Sequence, residues 1–234
     1  MKDVMKCAIE NMPKELYNAL IAKPILSIPL EIEPWIKGDG IELPEDICNK
    51  IQQALTGFYS GWFFAKLSTR SPKDYFSNSL GEIYPMKRIE DIQDALGGCS
   101  MRIFDDLDKA MQNGTQLQLH ILPWVYIPPQ NEWRCYVKDG KLIAISQYFY
   151  NIGFNNFAPN KEKIIAFANQ YLSHLPMQDI VMDIVYGEDI YDKGLLELNP
   201  YGLSDPCLFT YDELNAMDGS EVTFRYNVMD KVSK

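Results

Sequence analysis

Histidine, paired cysteine, basic charge and long apolar runs are all scarce in this 234-residue sequence. The two histidines, His120 and His174, are tied by no pattern to a nucleophile, which argues against a His-centred triad; both read as ordinary core or surface residues. The five cysteines (Cys7, Cys48, Cys99, Cys135 and Cys207) are odd in number, scattered, and include no Cys-x-x-Cys pair. That excludes a disulfide framework or a zinc site and makes a reducing cytoplasm the expected compartment. No apolar run reaches the roughly 18 residues of a membrane span. Met1 to Glu10 mixes Lys, Asp and Glu and has no signal-peptide core. With 22 basic residues against 32 acidic, the net charge is −10. Phosphate neutralisation needs a basic stripe, so a nucleic-acid partner is disfavoured. There is no internal repeat and no low-complexity tract.

What is present is a globular composition, 47% hydrophobic and 12% aromatic. Helical periodicity is expected over 3–21 (broken near Pro13), 43–59 (Pro44 at its start, then Ile47, Ile51, Leu55 and Phe58 on one face), 89–96, 102–111, 161–175 and 210–217. Gly38-Asp39-Gly40 reads as a turn, and Gly97-Gly98 as a break between helices. Extended segments are expected at 24–31, 61–67, 115–125, 132–137, 141–148, 180–186 and 194–199, with Lys138-Asp139-Gly140 as a hairpin signal. The pattern predicts an α+β fold with mostly antiparallel strands.

Charge is concentrated late in the chain. From Asp183 to Glu221 there are ten acidic residues and one basic, Lys193. Glu188, Asp189 and Asp192 suit a solvated face. Asp183 (Ile-Val-Met-Asp-Ile-Val-Tyr) and Glu197 with Asn199 (Leu-Leu-Glu-Leu-Asn-Pro-Tyr-Gly) instead lie in apolar runs separated by a loop from Gly187 to Gly194. If these two strands pair antiparallel, the three polar residues converge on one face. Carboxylates buried that close repel unless a cation or proton intervenes. An oxygen-only set points to Mg²⁺ or Mn²⁺; the alternative is a protonated or Arg-paired acid pair.

Two basic segments accompany it. In Lys66-Leu-Ser-Thr-Arg70-Ser71-Pro72-Lys73-Asp74 a strand should end near Lys66 and a helix start near Pro72, with Ser71 as N-cap and Asp74 as its capping-box acid. A helix N-terminus among three cations suits a phosphate, although capped surface helices are common. In Glu132-Trp-Arg134-Cys-Tyr-Val137, alternation puts Glu132 and Arg134 on one face. Arg134 then reads either as a surface ion pair or as a phosphate contact, with Lys141 near it on the partner strand.

Taken together, these segments resemble one family. Lys66-Leu-x-x-x-Ser71-Pro-Lys-Asp, Trp124 with Glu132-Trp-Arg-Cys-Tyr-Val, Lys141-Leu-Ile-Ala-Ile-Ser-Gln147, Glu197-Leu-Asn-Pro-Tyr-Gly202 and Leu208-Phe-Thr-Tyr-Asp-Glu-Leu214 are similar, in order, to the motifs of the cell division cycle protein 123 family, a divergent ATP-grasp group. The likeness runs from about Asp39 to Leu214. It implies an ATP-grasp fold of two α+β lobes, divided near residues 114–115, enclosing a nucleotide site. It also implies ATP and Mg²⁺ as ligands. By the same resemblance Lys66, Lys73, Arg134 and Lys141 face the phosphates beside Ser71, with Arg102 a further phosphate candidate. Leu122 to Trp124 lie against the adenine at the hinge, and Asp183, Glu197 and Asn199 hold the metal. Glu197 stands where eukaryotic members have Asp. Those members bind the gamma subunit of translation initiation factor 2 and promote its assembly, so an ATP-dependent assembly factor, or chaperone, is the first expectation. An ATP-dependent ligase working through an acylphosphate is the alternative.

Overall fold

The structure, a computed structural model, describes residues 1–31, 36–37, 40–57, 61–77, 83–155 and 157–227. The chain forms two compact units. The first comprises Met1–Met5 and Ala22–Val125, and the second Lys6–Ile21 and Tyr126–Lys234.

The first unit is built on an antiparallel three-stranded sheet of β1 (Leu26–Pro29), β5 (Gln118–Pro123) and β4 (Phe63–Leu67), in the order β1-β5-β4. A two-stranded ribbon, β2 (Ile36–Lys37) with β3 (Gly40–Ile41), lies in the same unit. Alternation along β4 buries Phe63, Ala65 and Leu67 and leaves Phe64 and Lys66 half-exposed. The buried set joins Leu119, Ile121 and Ile28 in a core completed by three helices. Helix α3 (Glu45–Leu55) follows Pro44, carries Glu45 and Asp46 at the positive end of its dipole, and buries Ile47 and Ile51, four residues apart. Helix α4 (Ile89–Asp94) runs through a widened turn to Gly98, whose φ of +109° breaks the path as the Gly97-Gly98 pair led us to expect. Helix α5 (Met101–Asn113) buries Ile103, Leu107 and Ala110 and ends at Gly114 in the left-handed region.

The second unit is built on a five-stranded sheet, in the order β10-β7-β6-β8-β9. Its strands are β6 (Glu132–Lys138), β7 (Lys141–Gln147), β8 (Ile180–Val185), β9 (Gly194–Pro200) and β10 (Thr223–Arg225). All neighbours are antiparallel except β10 with β7. The β6–β7 hairpin turns on Asp139 and Gly140, both at positive φ, as a two-residue loop demands. Both faces are covered. Trp133 packs against Phe157 and Phe224 on one side, and Tyr136 against Phe209 on the other. Helix α2 (Lys14–Ala19) starts directly after Pro13, whereas α1 (Lys2–Lys6) ends at Lys6 and lies mostly in the first unit; α6 (Lys161–Asn169) is capped by Asn160, and α7 (Tyr211–Ala216) by Thr210 with Glu213. At Gly194 a Cβ would lie 2.5 Å from the Ala19 carbonyl, so the approach of the α2 end to β9 requires glycine there.

The α+β class with mostly antiparallel sheets holds, but three expectations need correction. The division falls after Val125, not near 114–115, because β5 pairs with β1 and β4 rather than with the later strands. No helix starts at Pro72. Residues 73–75 form a turn, with the Tyr75 and Phe76 N–H groups both donating to the Pro72 carbonyl. Strand β10, too short for a periodicity signal, was not expected. Part of the Gly38-Asp39-Gly40 turn, and Phe58, lie outside the described residues.

Candidate functional site

In the second unit, strands β8 and β9 pair antiparallel, with Asp183 directly opposite Glu197 and Val181 opposite Asn199. Directly opposed residues share a face, so the convergence expected of Asp183, Glu197 and Asn199 is present. Asn199 Nδ2 donates to Asp183 Oδ2 at 3.0 Å. A bulge between Asp183 and Ile184 follows the pair. Asp183 is fully buried, while Glu197 and Asn199 are half-buried.

Asp183 also carries an ion pair. Strand β6 sets Arg134 opposite Asp183. The guanidinium donates through Nε to Oδ1 at 2.8 Å and through Nη2 to Oδ2 at 2.7 Å, a planar two-pronged match. Its Nη1 donates to the Asp205 carbonyl at 2.9 Å, and its face lies 4.7 Å over the Tyr148 ring. Burial alone would lower the pKa of Arg134; the adjacent Asp183 charge and hydrogen bonds outweigh it and hold it well above the usual arginine value. Asp183 is thus an Arg-paired acid, the alternative that the sequence left open. The donors of Arg134 are turned inward, and it orients Asp183. Lys141 does not lie beside Arg134, where the sequence led us to expect it. It is exposed at the hairpin end opposite Lys138, whereas Arg134 lies opposite Ser146, four residues or about 13 Å along β6 from Lys138. The nearby Cys207 thiol is pushed by burial up to about 12, which leaves it protonated and no nucleophile.

These groups fit a hard divalent cation. All three side chains carry oxygen atoms, the donor type that a hard divalent cation takes. Arg134 supplies the outer support that ligating carboxylates commonly have. Among the described residues no three His, Cys, Asp or Glu side chains gather, so the Asn199 amide is needed to complete the set.

In the first unit, Lys66 lies opposite His120 and Phe64 opposite Leu122, all on the sheet face turned away from the core. Trp124 tilts against Phe64 with ring centroids 6.2 Å apart, and its backbone N–H donates to the Trp62 carbonyl. Lys66, Leu122 and Trp124 are thus brought to one face. Leu122 and Trp124 also stand within three residues of the point where the chain passes into the second unit. Ser71 is buried in the turn and caps no helix there. Asp74 has a different role from the one expected. It accepts from Ser100 Oγ at 2.5 Å and from the Arg102 N–H at 3.1 Å, so it caps α5 from 26 residues away. Burial alone would raise the Asp74 carboxyl; those two hydrogen bonds outweigh it and hold it below the usual range. The positive end of α5 is therefore already answered by a carboxylate. Arg102 is exposed in its first turn, and Lys73 is half-exposed in the turn. Sequence reasoning did not anticipate His120 on this face, buried opposite Lys66.

An α+β architecture of this kind has a solved counterpart in Cdc123 from Schizosaccharomyces pombe, with a TM-score of 0.72 at 21% identity over 95% of this chain and 96% of that one. That likeness establishes the fold. The D123 family model matches residues 42–233, and the chain belongs to that family. Similar curated proteins include the translation initiation factor eIF2 assembly proteins of Xenopus tropicalis (28% identical, covering 74% of this chain and 55% of that protein) and Candida albicans (30%, covering 73% and 53%). The chain spans about half the length of these curated relatives. No helix among the described residues is long and apolar enough to cross a membrane.

Proposed function

We propose that this protein binds Mg·ATP in the ATP-grasp manner and acts as an assembly factor for a protein partner, the gamma subunit of translation initiation factor 2 or its equivalent. Family membership and the names of the similar proteins support the partner class. The observation that carries nucleotide binding is the pairing of Asp183 with Glu197 on adjacent strands, with Asn199 bonded to Asp183. Asp183, Glu197 and Asn199 are the proposed ligands of Mg²⁺, with Mn²⁺ as a substitute. When bound, the ion supplies a compact positive centre that neutralises phosphate oxygens. Arg134 holds the Asp183 carboxylate in one orientation and remains a cation beneath it. Lys66 supplies a phosphate contact, and Phe64, Leu122 and Trp124 an apolar bed for a base. Lys73 and Arg102 lie outside this face and are secondary phosphate candidates. Five cysteines outside any disulfide suit the cytoplasm, where translation factors work.

Titration calorimetry with ATP and Mg²⁺ tests the site. Glu197→Ala or Asn199→Ala should lower Mg·ATP affinity by about tenfold or more, equivalent to roughly 1.4 kcal/mol, with thermal stability retained. Unchanged affinity in both variants refutes the metal assignment. Capture of the gamma subunit in the presence of ATP, with no ADP release, is the outcome expected of an assembly factor. ADP release on addition of a carboxylate and an amine would favour the ligase.

A further inference from the structure

The turn that leaves β9 is held at both ends by the Arg134–Asp183 pair. Where it begins, Asn199 Nδ2 donates to Asp183 Oδ2 at 3.0 Å. Where it ends, the Asp205 carbonyl accepts from Arg134 Nη1 at 2.9 Å. Between these anchors the chain is tied to itself and to α7. The Leu203 N–H and the Ser204 hydroxyl both donate to the Pro200 carbonyl, and Tyr211 Oη donates to the Ser204 carbonyl at 2.9 Å. Gly202, at a φ of +81°, permits the reversal. The Asp205 carboxylate accepts from the Cys207 N–H at 2.8 Å and from Tyr150 Oη at 3.2 Å. A turn so bonded has little freedom left to lose on binding.

Leu203 stands in this turn, 71% exposed, where glycine or a polar residue is usual. A lone apolar residue on a surface needs no explanation, but Leu203 has aromatic company. The half-buried rings of Tyr201, two residues before it, and of Tyr211, bonded to the residue after it, lie 5.3 Å apart. Exposed carboxylates border the three: Asp205 in the turn, Asp212 next to Tyr211, and Asp179 next to Ile180, which pairs with Pro200.

We propose that Leu203, with Tyr201 and Tyr211, forms the tip that docks the protein partner, entering an apolar pocket rimmed by basic side chains. The inference rests on the assembly-factor reading above and names the surface it uses. Charge selects this occupant. The acidic border suits a basic rim, whereas a second copy of a chain of net charge −10 would set like charges against each other. The tip also responds to the metal. When Asp183, Glu197 and Asn199 hold Mg²⁺, the anchors of the turn are steadied, and the partner meets a turn already ordered. Such coupling is reciprocal, so partner and Mg·ATP strengthen each other by one factor.

The test measures binding of the translation initiation factor 2 gamma subunit, with and without Mg·ATP, to wild type, Leu203→Met, Leu203→Ser and Asp212→Lys. Leu203→Ser should weaken the gamma subunit about tenfold and Asp212→Lys about threefold, while Leu203→Met stays within about twofold. Mg·ATP affinity without the gamma subunit should match wild type in all three. In wild type, Mg·ATP should raise gamma-subunit affinity about fivefold and slow amide hydrogen exchange over residues 200–205. Leu203→Ser that binds the gamma subunit as wild type does overturns the proposal. Leu203→Ser that also loses Mg·ATP marks a structural role and overturns it too. Gamma-subunit affinity and exchange both indifferent to Mg·ATP overturn the coupling. Wild-type dimerisation abolished by Leu203→Ser, read by sedimentation, would give the tip to a second copy and overturn the proposal. Wild type that binds Mg·ATP but no gamma subunit refutes the assembly-factor reading, and this inference with it. Should Leu203→Ser fold poorly, Asp212→Lys decides the question through the same comparison.

Discussion

The two sheets treat the same alternation in opposite ways. In β4 of the three-stranded sheet, every second residue enters a core and the others stay partly open, so Lys66 keeps access to water. In β6 of the five-stranded sheet, every residue from Glu132 to Val137 is buried, because aromatic side chains and the 205–217 segment cover both faces. A charged residue at such a half-exposed position is solvated where it stands. One on the second sheet must be neutralised within the protein, which is why Arg134 and Asp183 bond each other through two hydrogen bonds. Coverage of the second face, rather than the strand pattern, decides whether a polar residue is available to a ligand or committed to the fold.

The largest expected effect breaks that pair. Arg134→Met leaves Asp183 buried without its counter-charge, which costs about 3–5 kcal/mol. Arg134→Met combined with Asp183→Leu should restore much of that loss, because two apolar groups need no neutralisation. Urea denaturation measures both. The same treatment of the first sheet, Lys66→Met, should change stability by less than about 0.5 kcal/mol. A cost for Arg134→Met no larger than that for Lys66→Met would erase the distinction between the sheets.

A middle-sized effect is expected at the start of α5. Asp74→Ala removes the acceptor for Ser100 Oγ and the Arg102 N–H and should cost about 1–2 kcal/mol. Asp74→Asn retains an acceptor oxygen and should cost less. Equal costs would mean that the negative charge at the helix dipole, rather than the hydrogen bonds, carries the effect.

Much of this arrangement was legible in the sequence, for reasons that identify what was not. The convergence of Asp183, Glu197 and Asn199 was readable because two short apolar strands joined by a loop have one simple way to pair. The hairpin at Asp139-Gly140 is local chemistry and was equally plain. The alignment of Lys66, His120 and Ser27 joins three strands that are distant in sequence, and no local pattern encodes their register. The motif around Ser71 carried every local sign of a helix start. Its acid instead caps a helix 26 residues later, a tertiary contact that overrides local preference. For Arg134 the residue type was informative and its direction was not. An arginine can meet a phosphate or a carboxylate on the next strand with the same geometry, and only the pairing of β6 with β8 decides between them.

The smallest expected effect lies at the rim of the second sheet, where an ion pair remains in water. Glu213 accepts from both terminal nitrogens of Arg225 and from the Thr210 N–H. Those hydrogen bonds hold its carboxyl at about 2, below its ordinary 4.5. A depressed carboxyl pKa means that the folded state binds the proton less readily than the unfolded chain. Its contribution is therefore complete above pH 4.5 and disappears as pH falls through about 2. Glu213→Gln should accordingly be slightly less stable than wild type at neutral pH, with the two converging in acid. Added salt should narrow the neutral-pH difference, because this pair is exposed. The buried Arg134–Asp183 pair should be nearly indifferent to the same salt. Thermal melts of Glu213→Gln and wild type at low and high ionic strength measure this directly. A salt-insensitive difference at Glu213 would place that rim pair in the same dry environment as the interior one and remove the contrast between the covered sheet and its edge.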